Sequence, residues 1–250
     1  MPDLYTSADG GGGQSIFTPD SDGTDSFVAC RSDTSGNYSF NTSTVQSAAI
    51  SARTYTFGAA PQTRAMWLNR SFFNFDTSGI TALPDTATLK LYGYNAWTDD
   101  IIAVKHNNTG TLNGAGWDLI DGCTSQLAAS DGAGTGTLAS CATNYSSELA
   151  SGAVNQYNDL ELNETARTDM RDNDELRIAV VQYDNDYLDI TPYPGPNSKR
   201  CGIFYSDHAT SAYHPYIEYS EPAVDPSFPE KRFISTGGDI SINGGKLTIK

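Results

Sequence analysis

The sequence ATLKLYGY at residues 87–94 decides the fold class because apolar and polar residues alternate along it. A period of two is typical of a β-strand with one face buried and the other in solvent. The two faces separate small or apolar residues from polar or aromatic ones: Ala87, Leu89, Leu91 and Gly93 against Thr88, Lys90, Tyr92 and Tyr94. The segment therefore predicts a half-buried strand.

Further short extended segments lie on both sides of this strand and are separated by polar turns. They predict strands at residues 26–30, 45–57, 64–76, 101–104, 117–120, 159–162, 176–183, 202–206 and 216–219. Residues 1–25 are expected to be rich in turns, and residues 107–157 to form long loops. One short helix is predicted at residues 163–171, with Asn163 as its N-cap. We expect an all-β antiparallel sandwich with one short helix.

The chain divides into three parts. Residues 1–219 form the predicted sandwich, and residues 220–230 form a linker that Pro222, Pro226 and Pro229 keep out of regular structure. Residues 231–250 predict a β-hairpin tail, because an Asn-Gly-Gly turn at 243–245 separates two alternating runs.

The tail needs a partner, because a two-stranded hairpin alone is marginally stable in water. That partner is either the sandwich itself or another subunit, through edge pairing of strands. We favour docking on another subunit. The candidate interface residues are Phe233, Ile234, Ile240, Ile242, Leu247 and Ile249.

The net charge of −15 lies entirely on residues 1–219, because the charges of residues 220–250 cancel. A surface this acidic repels phosphate backbones and anionic lipids, so neither nucleic acid nor a membrane is an expected partner. Residues 1–5 lack the pattern of a signal peptide, and no apolar run is long enough to span a membrane. We expect synthesis in a cytoplasm.

The four cysteines, Cys30, Cys123, Cys141 and Cys201, show no C-x-x-C spacing, which argues against a zinc or redox motif. Cytoplasmic synthesis keeps thiols reduced, so four free thiols are expected. The alternative is a disulfide between Cys123 and Cys141 across a loop rich in small residues.

Two acidic clusters are candidate calcium sites. Asp20, Asp22 and Asp25 lie on one turn, but no bidentate Glu follows at the spacing of an EF-hand loop, so an ordinary acidic turn is favoured. Residues 184–189 form a second cluster, for which a solvated loop is expected and calcium or sugar binding is the alternative.

No catalytic centre is predicted. Ser206, Asp207 and His208 are neighbours in one loop and cannot stack as a triad, and no G-x-S-x-G motif exists. His106 and His214 lie in or beside predicted strands. We expect no enzymatic activity and no cofactor.

Aromatic residues suggest sugar binding. The chain has three tryptophans and 14 tyrosines. Trp67 is expected in the core, whereas Trp97 lies in a predicted turn and Tyr193 caps a Pro-Gly-Pro loop. Trp97 and Tyr193 are therefore the candidate glycan contacts.

Three segments resemble the DNRLRE-type β-sandwich family. The first joins RSFFNFD at 70–76 to ATLKLY at 87–92, the second is YNDLELN at 157–163, and the third joins FYSD at 204–207 to HPYIEY at 214–219. They follow one another in the family's order within residues 1–219. The resemblance implies a jelly-roll-like sandwich.

Members of that family occur in carbohydrate-binding modules, bacterial surface proteins and bacteriophage structural proteins. A stand-alone sandwich with a C-terminal β-tail is most similar to the phage members. The resemblance therefore implies a virion structural protein, a capsid decoration (cement) or appendage subunit on the virion surface. Its expected partners are other virion proteins and copies of itself. The alternative is a carbohydrate-binding module or adhesin subunit that binds a host glycan.

Overall fold

The computed structural model describes residues 2–20, 38–40, 45–57, 63–108, 119–123, 137–190, 199–222, 240–243 and 246–249. Expectations for residues 26–30, Trp117 and the linker at 223–230 therefore lie outside the described residues. Within the described ranges the chain is mainly antiparallel β-structure, which confirms the predicted all-β sandwich.

Twelve strands occur in the described part. They are β1 (Asp3–Asp20), β2 (Tyr38–Phe40), β3 (Val45–Phe57), β4 (Thr63–Asp76), β5 (Thr86–Trp97), β6 (Ile101–Lys105), β7 (Tyr157–Glu161), β8 (Glu175–Gln182), β9 (Lys199–Phe204), β10 (Tyr216–Ser220), β11 (Ile240–Asn243) and β12 (Lys246–Ile249).

Ten of these strands form two hydrogen-bonded layers. In the first sheet the order is β1-β10-β5-β7. In the second sheet the order is β5-β9-β3-β4-β8-β6, and β4 also pairs with β1, which pairs in turn with β2. Strands β1 and β5 run from one sheet into the other, so they form the corners of the sandwich.

Strand β5 confirms the period-two pattern, since Ala87, Leu89 and Leu91 are buried in the main core between the sheets. Strand β8 is instead a continuous apolar run because both its faces are covered. Its Ile178 and Val180 join the main core, whereas its Ala179 and Val181 join a second cluster on the opposite face of the second sheet. A strand buried on both faces needs no alternation.

The predicted helix is present as α2 (Glu164–Asp172), and Asn163 caps it by accepting a hydrogen bond of 3.0 Å from the backbone N–H of Ala166. The structure also contains elements that the sequence pattern did not predict: a second helix, α1 (Leu138–Cys141), a π-turn (Tyr183–Tyr187) and a 3-10 turn (Ser211–Tyr213). These short elements depend on tertiary packing and local capping.

The expectation that residues 1–25 are mainly turns is wrong for the described part of that segment. Strand β1 extends from Asp3 to Asp20 and pairs with β4, with an irregularity between Thr6 and Gly11. A long antiparallel partner overrides the turn preference of its glycines.

The expectation of a free thiol at Cys123 and Cys141 is also wrong, because these residues form a disulfide across a sequence separation of 18. Hydrogen bonds as well as the disulfide hold together the two segments that carry these cysteines. The Thr143 hydroxyl donates a hydrogen bond to the Asp121 carboxylate at 2.6 Å, and the Thr143 N–H donates to the Asp121 carbonyl at 3.3 Å. Cys201 remains a buried free thiol.

Candidate functional site

Six aromatic side chains form a continuous row that crosses the outward face of the first sheet and reaches the 3-10 turn and the end of β9. We call this set the aromatic row; in spatial order it comprises Tyr5, Tyr216, Tyr157, Tyr92, Tyr213 and Phe204. Successive ring centroids are separated by 5.5, 5.1, 5.1, 4.4 and 4.9 Å. These separations are those of directly packed aromatic rings.

The row exists because four strands each place one tyrosine on the solvent side. Tyr92 lies on the polar face of β5, while Tyr157 and Tyr216 lie on the strands that flank β5 in the first sheet. Tyr5 on β1 pairs directly with Tyr216. Adjacent strands lie close enough for aromatic side chains on one face to touch.

Two hydroxyl groups hold the middle of the row in place. Tyr157 donates to the carbonyl of Ala212 at 2.7 Å, and Tyr92 donates to the carbonyl of Asn155 at 2.9 Å. Burial raises the pKa of the Tyr157 hydroxyl, which is therefore neutral. The rings form a preorganised surface.

Charged groups lie beside the row on the same sheet. The Lys90 ammonium lies 2.6 Å from the Asp159 carboxylate and 3.2 Å from the Glu218 carboxylate. At the end of the row, Tyr5 is 52% exposed. An accessible aromatic surface with hydrogen-bonding groups at its border is suited to a ligand that has both apolar and hydroxyl faces.

Trp97 does not lie in an exposed turn, which corrects the prediction from the sequence. It is the last residue of β5, and its half-buried indole packs against the main core. Gly152 lies against the indole so closely that a Cβ there would overlap it. The indole N–H is buried and has no hydrogen-bond partner among the described residues. The other glycan candidate, Tyr193, lies outside the described residues.

The acidic cluster at 184–189 is not a solvated loop, which corrects that expectation. The π-turn buries Asp186, whose carboxylate receives two hydrogen bonds of 2.7 Å from the Arg70 guanidinium. Both side chains have no exposed surface. Asp184 instead pairs with Lys199 at 2.7 Å. The sequence placed Arg70 and Asp186 116 positions apart, so only the fold brings them together.

The Gln182 side chain connects this turn to a second buried carboxylate. It accepts hydrogen bonds from the backbone of the π-turn and donates to Asp99 at 2.8 Å. Burial raises the pKa of Asp99 to about 7, although Gln182 and Lys199 oppose the increase. One Asp99 carboxylate oxygen has no hydrogen-bond partner in the described structure.

The first calcium candidate is only partly described. Asp20 is the last residue of β1, whereas Asp22 and Asp25 lie outside the described residues. Within the described ranges, no group of three His, Cys, Asp or Glu side chains is placed to hold a metal ion.

The three histidines make local contacts with the backbone. His106 accepts from the N–H of Asn108 at 3.2 Å, and burial lowers its pKa to about 3. His208 accepts from the N–H of Thr210 at 3.1 Å, and a ring nitrogen of His214 lies 2.6 Å from the His208 carbonyl.

None of the helices in the described ranges has the length and apolar character of a membrane-spanning segment.

The C-terminal hairpin is formed by β11 and β12, with Ile240 opposite Ile249 and Ile242 opposite Leu247. These four candidate interface residues are thus brought together in two facing pairs. The other two, Phe233 and Ile234, lie outside the described residues. In the described structure the hairpin is a sheet of two strands, separate from the ten-stranded assembly.

A scan against protein-family models found no matching family, and a search of curated proteins found no match. The similarity to the DNRLRE-type sandwich therefore remains a prediction from the sequence.

Proposed function

We propose that this protein is a virion structural subunit, a capsid decoration or appendage protein that docks through its C-terminal hairpin and exposes its sandwich. The observation that carries the proposal is the pairing of β11 and β12 with each other and with no third strand among the described residues. A hairpin with open edges gains hydrogen bonds and apolar burial when it joins another sheet.

The charge distribution supports this division of roles. The net charge of −15 lies on residues 1–219, whereas residues 220–250 are neutral overall. An acidic body repels other bodies and stays in solvent, while a neutral tail approaches a partner without that repulsion. The Cys123–Cys141 disulfide also suits a protein that works in an oxidising medium outside the cell.

Particle incorporation tests this function. Full-length protein and a variant ending at residue 222 are each produced with the other virion proteins, and their content in purified particles is measured by mass spectrometry. We expect the truncated protein to fold but to be missing from particles. A Tyr5→Ala variant with an intact tail is the control and should be incorporated normally. Incorporation of the truncated protein at the full-length level would contradict the proposal.

The aromatic row favours a second candidate function, binding of a host glycan by the same protein. Tyrosine rings stack on the apolar faces of pyranose sugars, and nearby polar groups bind their hydroxyls. A glycan array followed by calorimetry tests it. Tyr5→Ala should weaken binding about tenfold, corresponding to the loss of one aromatic contact.

Ile190→Ala is the matched control, because Ile190 has the same 52% exposure as Tyr5 but lies outside the row. It should bind as the wild type does. An array without signal for the wild type, or equal weakening by both variants, would contradict glycan binding at the row.

A further inference from the structure

Beside the aromatic row, the outward face of the first sheet carries a trough of about 390 Å³ with acidic walls, which we call the acidic trough. Thr88 on β5 pairs directly with Glu218 on one side and with Glu161 on the other. A short side chain therefore lies between two long acidic ones on neighbouring strands. The residues that line the trough are 85–88, Glu161, Leu162, Arg167 and Glu218.

The acidic trough and the aromatic row share one face of the sheet. On β10, Glu218 follows Tyr216 by two positions, and both alternate with buried residues. On β7, Glu161 follows Tyr157 by four positions in the same alternating pattern. An even separation places two side chains on the same face of a strand, and two positions span about 7 Å. A ligand that covers these tyrosine rings therefore reaches the trough.

Negative charge surrounds the polar ends of the rings. Burial raises the pKa of the Tyr216 hydroxyl. The Asp3 and Glu218 carboxylates add to this increase, which the Lys90 ammonium opposes. The faces of aromatic rings also attract cations, so the rings and the carboxylates favour the same sign of charge in a ligand.

The two cations near the trough balance this charge only in part. Lys90 divides its contacts between two carboxylates, one of which is Glu218 at 3.2 Å. The Arg167 guanidinium donates to the backbone carbonyl of Pro84 at 2.9 Å. No ion pair joins Glu161 to any described residue. The trough can therefore accept a further positive group beside Glu161.

The recognition groups on this face suit a glycan better than a peptide. The backbone groups of β5 are used here in its ladders with β7 and β10, so a peptide strand finds no edge to join. Hydroxyl groups are present instead: those of Thr86 and Ser220 lie 2.7 Å apart, and Thr88 lines the trough. Hydroxyls and carboxylates bind the hydroxyls and amines of a sugar, while tyrosine rings cover its apolar face.

We propose that the aromatic row and the acidic trough together bind a glycan with free amino groups, with a protonated amine beside Glu161 and sugar rings over Tyr157 and Tyr216. This inference rests on the glycan binding proposed for the aromatic row, and it names the class of glycan. The same carboxylates disfavour glycans that carry acidic groups.

Two β-1,4-linked oligomers of equal length test the inference. One consists of glucosamine and the other of N-acetylglucosamine, so only the first carries amines. Binding of each oligomer to the full chain is measured by calorimetry at about pH 5.5, where carboxylates are ionised and sugar amines are protonated. We expect the glucosamine oligomer to bind about threefold to tenfold more tightly.

Two double variants locate the origin of this preference. Glu161→Gln with Glu218→Gln should abolish the preference and leave binding of the N-acetylglucosamine oligomer unchanged, because the rings remain. The matched control is Asp172→Asn with Asp174→Asn, which changes the net charge equally at exposed residues at the end of α2, beside β8 of the second sheet. The control should keep the preference. An equal loss in both double variants would assign the preference to the overall charge of the chain and overturn the inference.

The remaining outcomes separate this inference from the glycan function. Equal binding of the two oligomers by the wild type would overturn the inference and leave glycan binding by the row in place. Absence of binding to both would also overturn it, and an array without signal for any sugar would then remove the glycan function as well. A lysine oligopeptide is the third probe. If it binds more tightly than the glucosamine oligomer and requires Glu161 and Glu218, the trough binds a basic peptide and the inference is wrong.

Discussion

The sandwich body and the C-terminal hairpin are both antiparallel β-structure, but their strands are covered to different degrees. In the body, β8 lies between β4 and β6 and buries both faces, so Ile178 and Val181 have no exposed surface. In the hairpin, β12 has β11 as its single neighbour among the described strands. The body therefore has a closed core between its layers, whereas the hairpin is a ribbon of two strands with no third strand among the described residues.

The body can also hold charges that the hairpin could not. The Arg70–Asp186 pair is stable without solvent because the guanidinium satisfies both carboxylate oxygens and the π-turn closes over them. Such a pair requires a surrounding shell of residues, and a ribbon of two strands has none. We therefore expect substitutions at buried pairs of the body to lower the free energy of unfolding strongly, and removal of the hairpin to change it little.

The largest effect is expected from breaking the buried ion pair. Arg70→Ala leaves the Asp186 carboxylate buried without its guanidinium partner and should lower the free energy of unfolding by about 3–5 kcal/mol. Urea denaturation measures this. The double variant Arg70→Met with Asp186→Leu is the control and should lose less, because neither charge remains buried. A decrease in the free energy of unfolding of less than about 1 kcal/mol for Arg70→Ala would show that the pair is not shielded from solvent as described.

The disulfide comes next. Replacing Cys123 and Cys141 by serine should lower the free energy of unfolding by about 3 kcal/mol, because the unfolded chain regains the freedom of the closed loop. Thermal denaturation with and without reductant checks this. Reductant should destabilise the wild type and leave the double variant unchanged; an equal response of both proteins would contradict it.

A smaller effect concerns Asp99 and pH. Its pKa rises from 3.8 to about 7 on folding, so between these values the folded protein binds more protons than the unfolded chain. This group therefore contributes stability that is present below about pH 4 and is lost as the pH rises towards 7. Asp99→Asn mimics the protonated form.

Comparison of Asp99→Asn with the wild type isolates this group from other titrations. The free energy of unfolding of the variant should not decrease between pH 4 and 7. At pH 8 it should exceed that of the wild type by on the order of 2 kcal/mol. Urea denaturation at a series of pH values measures the difference. A constant difference between the two proteins across that window would contradict the assignment.

The smallest effect is expected from removing the hairpin. The free energy of unfolding of a chain ending at residue 222 should lie within about 0.5 kcal/mol of that of the full-length protein, because the ten-stranded body keeps all its described pairings. Urea denaturation at low protein concentration is the measurement. A loss above about 1 kcal/mol would mean that the hairpin packs on its own body, and the distinction between the two regions would fail.

Local patterns predicted much of the body. The alternation of residues 87–94 identified the buried face of β5, Asn163 identified the start of α2, and the Asn-Gly-Gly turn identified the hairpin. Each of these features depends on residues within a few positions of one another. The candidate site was predicted less well: sequence reasoning selected Trp97, whose indole is packed against the core.

The sequence by itself determined the positions of β5, β8 and β10, which face of β5 is apolar, and that the charge lies on the body rather than the tail. Only the tertiary structure decided that Tyr5, Tyr157 and Tyr216 meet Tyr92, that Asp186 neutralises Arg70, and that Cys123 reaches Cys141. The physical reason is that these features depend on residues at different separations along the chain. Strand and cap preferences act between near neighbours in the chain, whereas ring stacking, ion pairs and disulfides depend on strand order, which local periodicity does not encode.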